Sequence, residues 1–132
     1  GVADRVRFLG SMDHQTLARH VASADIMALV SASEGLANAW VEALAAGTPV
    51  IACDVGGAKE LIKDDSAGRI VEPDPAAIVA AAKSILANYP RPYDVRANVA
   101  AFSWDENAEQ LDRFYRNILQ LAFYPQTGER RL

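Results

Sequence analysis

Two continuous apolar runs constrain this chain more than anything else in it: Ile26-Met27-Ala28-Leu29-Val30 and Pro49-Val50-Ile51-Ala52-Cys53. Each has the length of a strand, and neither alternates polar with apolar residues. That is the pattern of strands covered on both faces, as in a parallel sheet. Parallel neighbours need a crossover connection, and the intervening sequence supplies one. Ser31 to Ala37 reads as a loop, followed by a helix over about residues 38–46. Asn38 can cap its start, Gly47 offers a left-handed stop, and Pro49 forbids continuation. A strand–helix–strand unit is the expectation.

The flanking sequence repeats the alternation. Val6-Arg7-Phe8-Leu9 is β-prone and ends at Gly10, so a further strand is expected there. Asp13 can cap a helix over about 14–24, with Leu17, Val21 and Ala24 on its inner face. After Cys53, Gly56-Gly57 marks a turn into a short helix around 58–62, and Arg69-Ile70-Val71-Glu72 reads as a fourth strand. Asp74 and Pro75 open an alanine-rich helix over 75–88. Tyr89-Pro90-Arg91-Pro92 is a breaker before helices of about 94–101 and 104–123. In the last helix Trp104, Ala108, Leu111, Tyr115, Ile118 and Ala122 recur at helical spacing, with Asp105, Glu109, Asp112, Arg113 and Arg116 outward. The fold class is α/β: a Rossmann-like parallel sheet flanked by helices, spanning residues 1–124, with a polar tail over 125–132.

Composition removes several function classes. The 132 residues suit one domain, and 51% hydrophobic types can supply a core on both sides of a sheet. A net charge of −4 argues against a nucleic-acid partner held by bulk charge. The single cysteine, Cys53, excludes an internal disulfide framework and a cysteine-cluster zinc site, and its strand-end position suits a small buried residue. His14 and His20 lack neighbours at ligand spacing and read as surface residues. No apolar stretch is long enough to cross a bilayer. The chain opens Gly1-Val2-Ala3, and its pattern starts mid-domain, so a piece of something longer is expected.

Open α/β sheets bind ligands at the carboxyl ends of their strands, which directs attention to loops 10–13, 31–37 and 53–57. In Ser31-Ala32-Ser33-Glu34-Gly35-Leu36-Ala37-Asn38 the chain leaves one buried run and enters a helix, with Glu42 eight residues after Glu34. Free amides at the helix start offer an anion site between two carboxylates. A ligand with hydroxyls on either side of a phosphate, such as a sugar nucleotide, matches that arrangement. Glu34 and Glu42 equally suit solvated acids favoured near a helix N-terminus.

The segment from Glu34 through Ala52 resembles the signature of GT-B glycosyltransferases, and more narrowly the group 1 (GT4) retaining family. That family pairs two glutamates with seven residues between them and a following Glu-Ala-x-Ala-x-Gly-x-Pro-Val-Ile-Ala run, here Glu42 to Ala52. Upstream, Val6 to Gly10 and Ala24-Asp25-Ile26 are similar to its pattern. Downstream, Gly56-Gly57, Glu60-Leu61-Ile62, Ala67-Gly68 and Phe102-Ser103-Trp104 match as well, so the resemblance covers about residues 5–120. The family often has Phe-Gly or Pro where this chain has Leu36-Ala37, and Pro where it has Val30. The Asn38 variant looks like a subgroup common in envelope-polysaccharide assembly.

The resemblance implies roles for individual residues. Glu34 would approach the donor sugar as the catalytic carboxylate, and Glu42 would bind the ribose hydroxyls, since one carboxylate can accept from two vicinal hydroxyls. Amides of Gly35, Leu36 and Ala37, with those beside Asn38, would hold sugar and diphosphate. Ser11 and Met12 would lie near the nucleotide base. The implied partners are a nucleotide-diphospho-sugar donor and a glycan or lipid-linked acceptor bound by a separate domain. No metal or other cofactor is expected. The implied parent is a cytoplasmic hexosyltransferase, with the inner face of the membrane as a place of work the resemblance allows; the chain alone is expected to bind nucleotide weakly without transferring sugar. The family's basic diphosphate-binding pair has no counterpart here. The terminal helix packs on the acceptor domain in the family, so its apolar face is expected to drive dimerisation. A non-catalytic nucleotide-binding or assembly module, and a GT-B relative such as a nucleotide-sugar epimerase, are the alternatives.

Overall fold

The computed structural model describes residues 1–123; the tail expected over 125–132, and Tyr124, lie outside the described residues. Residues 1–100 and those from 101 onward form two compact units, Gly1–Ala100 and Ala101–Leu132.

The first unit is built on three parallel strands, β1 (Met27–Leu29), β2 (Val50–Cys53) and β3 (Gly68–Val71), with β2 in the centre. Met27 is in register with Val50, and Val50 in turn with Gly68. Helices fill the crossovers: α1 (His14–Ala22) precedes β1, α2 (Asn38–Ala46) joins β1 to β2, and α3 (Ala58–Leu61) joins β2 to β3. Beyond β3 come α4 (Pro75–Ala87) and α5 (Pro92–Ala97). The expected α/β class and parallel sheet are present.

β2 is buried along its whole length because its side chains serve both faces alternately. Val50 and Ala52 join Trp40, Leu44, Leu61, Ile62, Val95 and Val99 on one side. Ile51 points to the other, against Ala81 and Ile85 of α4. Trp40 and Leu44, one turn apart on α2, are fully buried, and each such side chain contributes about 1.5–3 kcal/mol of burial.

Local chemistry sets most of the ends. The Asp13 side chain accepts from Thr16 N at 2.9 Å and caps α1. Asp74 accepts from Ala77 N at 2.9 Å and caps α4. Gly47, at φ +89°, ends α2 in the left-handed region that favours glycine. Arg96 of α5 then donates to the last carbonyls of that helix, at 3.3 Å to Ala45 O and 3.0 Å to Ala46 O. α1 stops at Ala22, two residues short of expectation, where Ser23 Oγ donates to Arg19 O at 2.7 Å and competes with a further turn.

Three expectations need correction. Val6-Arg7-Phe8-Leu9 forms no strand; Phe8 is 98% exposed. Its β propensity goes unused because no described strand lies beside it to complete a ladder. On α1, Leu17 is exposed and Val21 only half-buried, so the inner face is shallower than its spacing suggests. Pro92, expected as part of a breaker, is instead the first residue of α5, a position where its missing N–H costs nothing.

The second unit is a single described helix, α6 (Trp104–Phe123). Its start and end match expectation, and Ser103 Oγ accepts from Glu106 N at 3.1 Å.

Candidate functional site

The loop 31–37 leaves the carboxyl end of β1 and enters α2, so the sheet delivers it to the edge where α/β folds bind ligands. Glu34 is half-buried on this loop, Gly35 and Leu36 are exposed, and Ala37 is half-buried. Among the described residues, the amides of Gly35 and Leu36 donate to no protein acceptor.

Asn38 was expected to cap α2, but it is the first helical residue, and the N-cap is Ala37 at φ −69°, ψ 112°. The reason is register. Packing of Trp40, Ala43 and Leu44 into the core places the helix start one residue earlier than the polar side chain suggests. Ala37 has no side-chain acceptor, and no acid stands in the first turn. The positive pole of α2 is therefore met by no side chain of its own, in contrast to the aspartate caps on α1 and α4.

Trp40, Ala43 and Leu44 turn inward, which leaves Asn38 and Glu42 on the exposed face, one turn apart. The fold thus brings five of the expected residues, Glu34 to Asn38, into one loop-to-helix junction, with Glu42 one turn inside the helix. It does not tie Ser11 or Met12 to them. Ser11 is exposed and Met12 half-buried just ahead of α1, and no hydrogen bond among the described residues joins either to the loop.

The turn after β2 supplies the closest neighbours of this junction. Gly57 N–H donates to Gly35 O at 2.8 Å. Sequence reasoning assigns the Gly56-Gly57 pair to a tight turn, with lining of a donor-sugar pocket as the alternative; its packing on the loop is the finding it missed, and consecutive glycines at a strand end were the available signal. Nearby, Lys59 pairs with Asp54 at 2.6 Å across an exposed surface, so the ammonium is engaged locally. Among the described residues no group of three or more His, Cys, Asp or Glu side chains is placed to hold a metal ion. Cys53 is free and buried, as its position suggested.

A family model for glycosyl transferases group 1 matches residues 1–88. A D-inositol 3-phosphate glycosyltransferase from Geodermatophilus obscurus is 36% identical over 117 residues, covering 87% of this chain and 26% of that protein. An uncharacterized glycosyltransferase of Methanocaldococcus jannaschii is 32% identical over 127 residues, covering 92% and 33%. Among solved structures, a sucrose-phosphate synthase from Thermosynechococcus elongatus aligns with a TM-score of 0.79 at 35% identity, over 89% of this chain and 31% of that one. The chain spans about a quarter to a third of the length of the relatives it matches. Motif, sheet topology and relatives agree: this chain belongs to the group 1 glycosyl transferases.

Proposed function

We propose that this chain is the donor-binding part of a retaining hexosyltransferase that takes its sugar from a nucleotide-diphospho-sugar. The observation that carries the reading is the junction of β1 and α2. An uncapped helix start follows the carboxyl end of β1, with Glu34 before it and Glu42 one turn inside it. The uncapped amides suit a diphosphate, whose negative charge complements the helix pole. Glu42 accepts the two ribose hydroxyls, and the Glu34 carboxylate approaches the sugar. As the glycosidic bond to the diphosphate breaks, charge grows on the leaving oxygen, and donors already oriented toward it lower that barrier.

Basic side chains completing the diphosphate site, and the acceptor site for a glycan or lipid-linked acceptor, come from elsewhere in the parent enzyme. No metal is required in this scheme. The Asn38 variant supports a role in cell-envelope polysaccharide or glycoconjugate assembly, on the cytoplasmic side of the membrane.

Titration calorimetry with uridine and guanosine diphosphates tests the binding. The chain is expected to bind one of them weakly, and Glu42→Gln to weaken that binding by about tenfold or more, as loss of charge-assisted hydrogen bonds predicts. No heat with either diphosphate removes the donor-site reading. Robust sugar transfer by the chain alone contradicts the assignment of the acceptor site and the basic pair to other parts of the parent.

A further inference from the structure

The Gly56-Gly57 turn has no part in the scheme above, yet it meets the β1–α2 loop backbone to backbone. Gly57 N–H donates to Gly35 O at 2.8 Å. Gly56 sits at φ +50°, and a Cβ built there overlaps the carbonyl oxygens of both Gly35 and Glu34. A Cβ at Gly57 stands 2.6 Å from Cδ1 of Leu36. Two consecutive residues without side chains therefore let the two backbones touch directly.

The consequence lies in the peptide planes. In a trans peptide the C=O and the following N–H point in opposite directions within one rigid plane. With Glu34 O and Gly35 O turned toward the glycine turn, the amides of Gly35 and Leu36 point away from it. Those are the two amides that donate to no acceptor among the described residues.

We propose that Gly56 and Gly57 are positioning residues: they hold the Glu34 and Gly35 carbonyls so that the Gly35 and Leu36 amides face the bound donor. This rests on the donor-site reading and adds the device that orients the loop. Neither glycine touches the donor in this scheme; both act through the two peptide planes.

The test compares alanine substitutions in the isotope-labelled chain, using uridine and guanosine diphosphates as probes. Gly56→Ala meets backbone atoms and is expected to weaken binding at least about tenfold, since misaimed donors lose charge-assisted hydrogen bonds. Gly47→Ala is the control, because it carries the same kind of left-handed strain at the far end of α2 and leaves the loop untouched. It is expected to lower thermal stability while keeping wild-type affinity. Equal affinity loss in both variants, or wild-type affinity in Gly56→Ala, overturns the proposal.

Should Gly56→Ala not fold, Gly57→Ala serves in its place. Its new methyl overlaps the Cδ1 end of the Leu36 side chain and meets Leu36 Cβ and Cγ at ordinary contact distance, so about threefold weaker binding is expected. In the Leu36→Ala background the same change is expected to have no effect, and a persisting effect there counts against the proposal. If the wild-type chain binds neither diphosphate, the donor-site reading fails by itself. The positioning is then read from the Gly35 and Leu36 amide resonances. Displacement by Gly56→Ala but not Gly47→Ala upholds it, and resonances that stay in place overturn it.

Discussion

Thr48 carries a hydroxyl into the apolar interior, at 1% exposure, and donates from Oγ1 to Val21 O at 2.7 Å. The bond ties the end of α1 to the turn before β2. Val21 O also accepts from Ala24 N at 3.1 Å, so losing the hydroxyl does not strand it. Thr48→Val is therefore expected to cost about 1 kcal/mol, at the modest end for a buried hydrogen bond. A lower urea midpoint with an unchanged slope checks this. Asp64 is a second informative residue. Its Oδ1 accepts from Ser66 Oγ at 2.6 Å and from Ser66 N at 2.8 Å. Those bonds, the hydroxyl first, hold its carboxyl below the ordinary value of 3.8. A carboxyl depressed by folding contributes stability above its unfolded pKa and loses it as pH falls through the folded one. The wild-type thermal midpoint is thus expected to drop below about pH 4 more steeply than that of Asp64→Asn. Parallel acid limbs in the two proteins contradict this.

At the scale of elements, α2 sets function against stability. Its N-cap is an alanine in an extended conformation that a serine can adopt, and nothing in its first turn complements the pole. Ala37→Ser is expected to stabilise the chain by about 0.5–2 kcal/mol through a new cap. The same hydroxyl then competes for the amides assigned to the diphosphate, so affinity for uridine or guanosine diphosphate is expected to fall. Thermal denaturation and calorimetry on one preparation read both effects. A gain in stability with no loss of affinity argues that the ligand does not use the start of α2. The elements also show why propensity served unequally. α1 and α4 carry Asp13 and Asp74 at their starts, and both caps were legible as sequence. The bounds of α2 were legible as well, but its cap was not, because with Trp40 and Leu44 buried Asn38 is the first helical residue and Ala37 the N-cap.

At the scale of the whole molecule, the described part of the second unit is one helix, α6. Trp104, Ala108, Leu111, Tyr115 and Ile118 recur at alternating steps of four and three, the seam of a two-helix contact. Ion pairs Arg116–Asp112 at 2.7 Å and Arg113–Glu106 at 3.3 Å occupy other faces of the same helix. No helix buries such a seam within itself, and a second copy offers a matching one. Light scattering is expected to show a concentration-dependent dimer that Leu111→Glu abolishes. A monomer throughout the concentration range discards this prediction.

The sequence by itself determined the strand–helix–strand order from Ile26 to Cys53, the parallel sheet, the two aspartate caps and the family motif from Glu34 to Ala52. Each of these is local: an apolar run, a cap or a turn residue carries its meaning within a few positions, and a helix satisfies its own backbone. Tertiary structure alone decided the rest. Val6 to Leu9 has the composition of a strand but no strand beside it among the described residues, and a strand cannot satisfy its backbone alone. Likewise, the contact of Gly57 with Gly35 joins residues twenty-two positions apart that carry no side chain to announce a pairing. Where backbone meets backbone, only the folded chain reveals which glycines are there to make a turn and which are there to let a second loop come close.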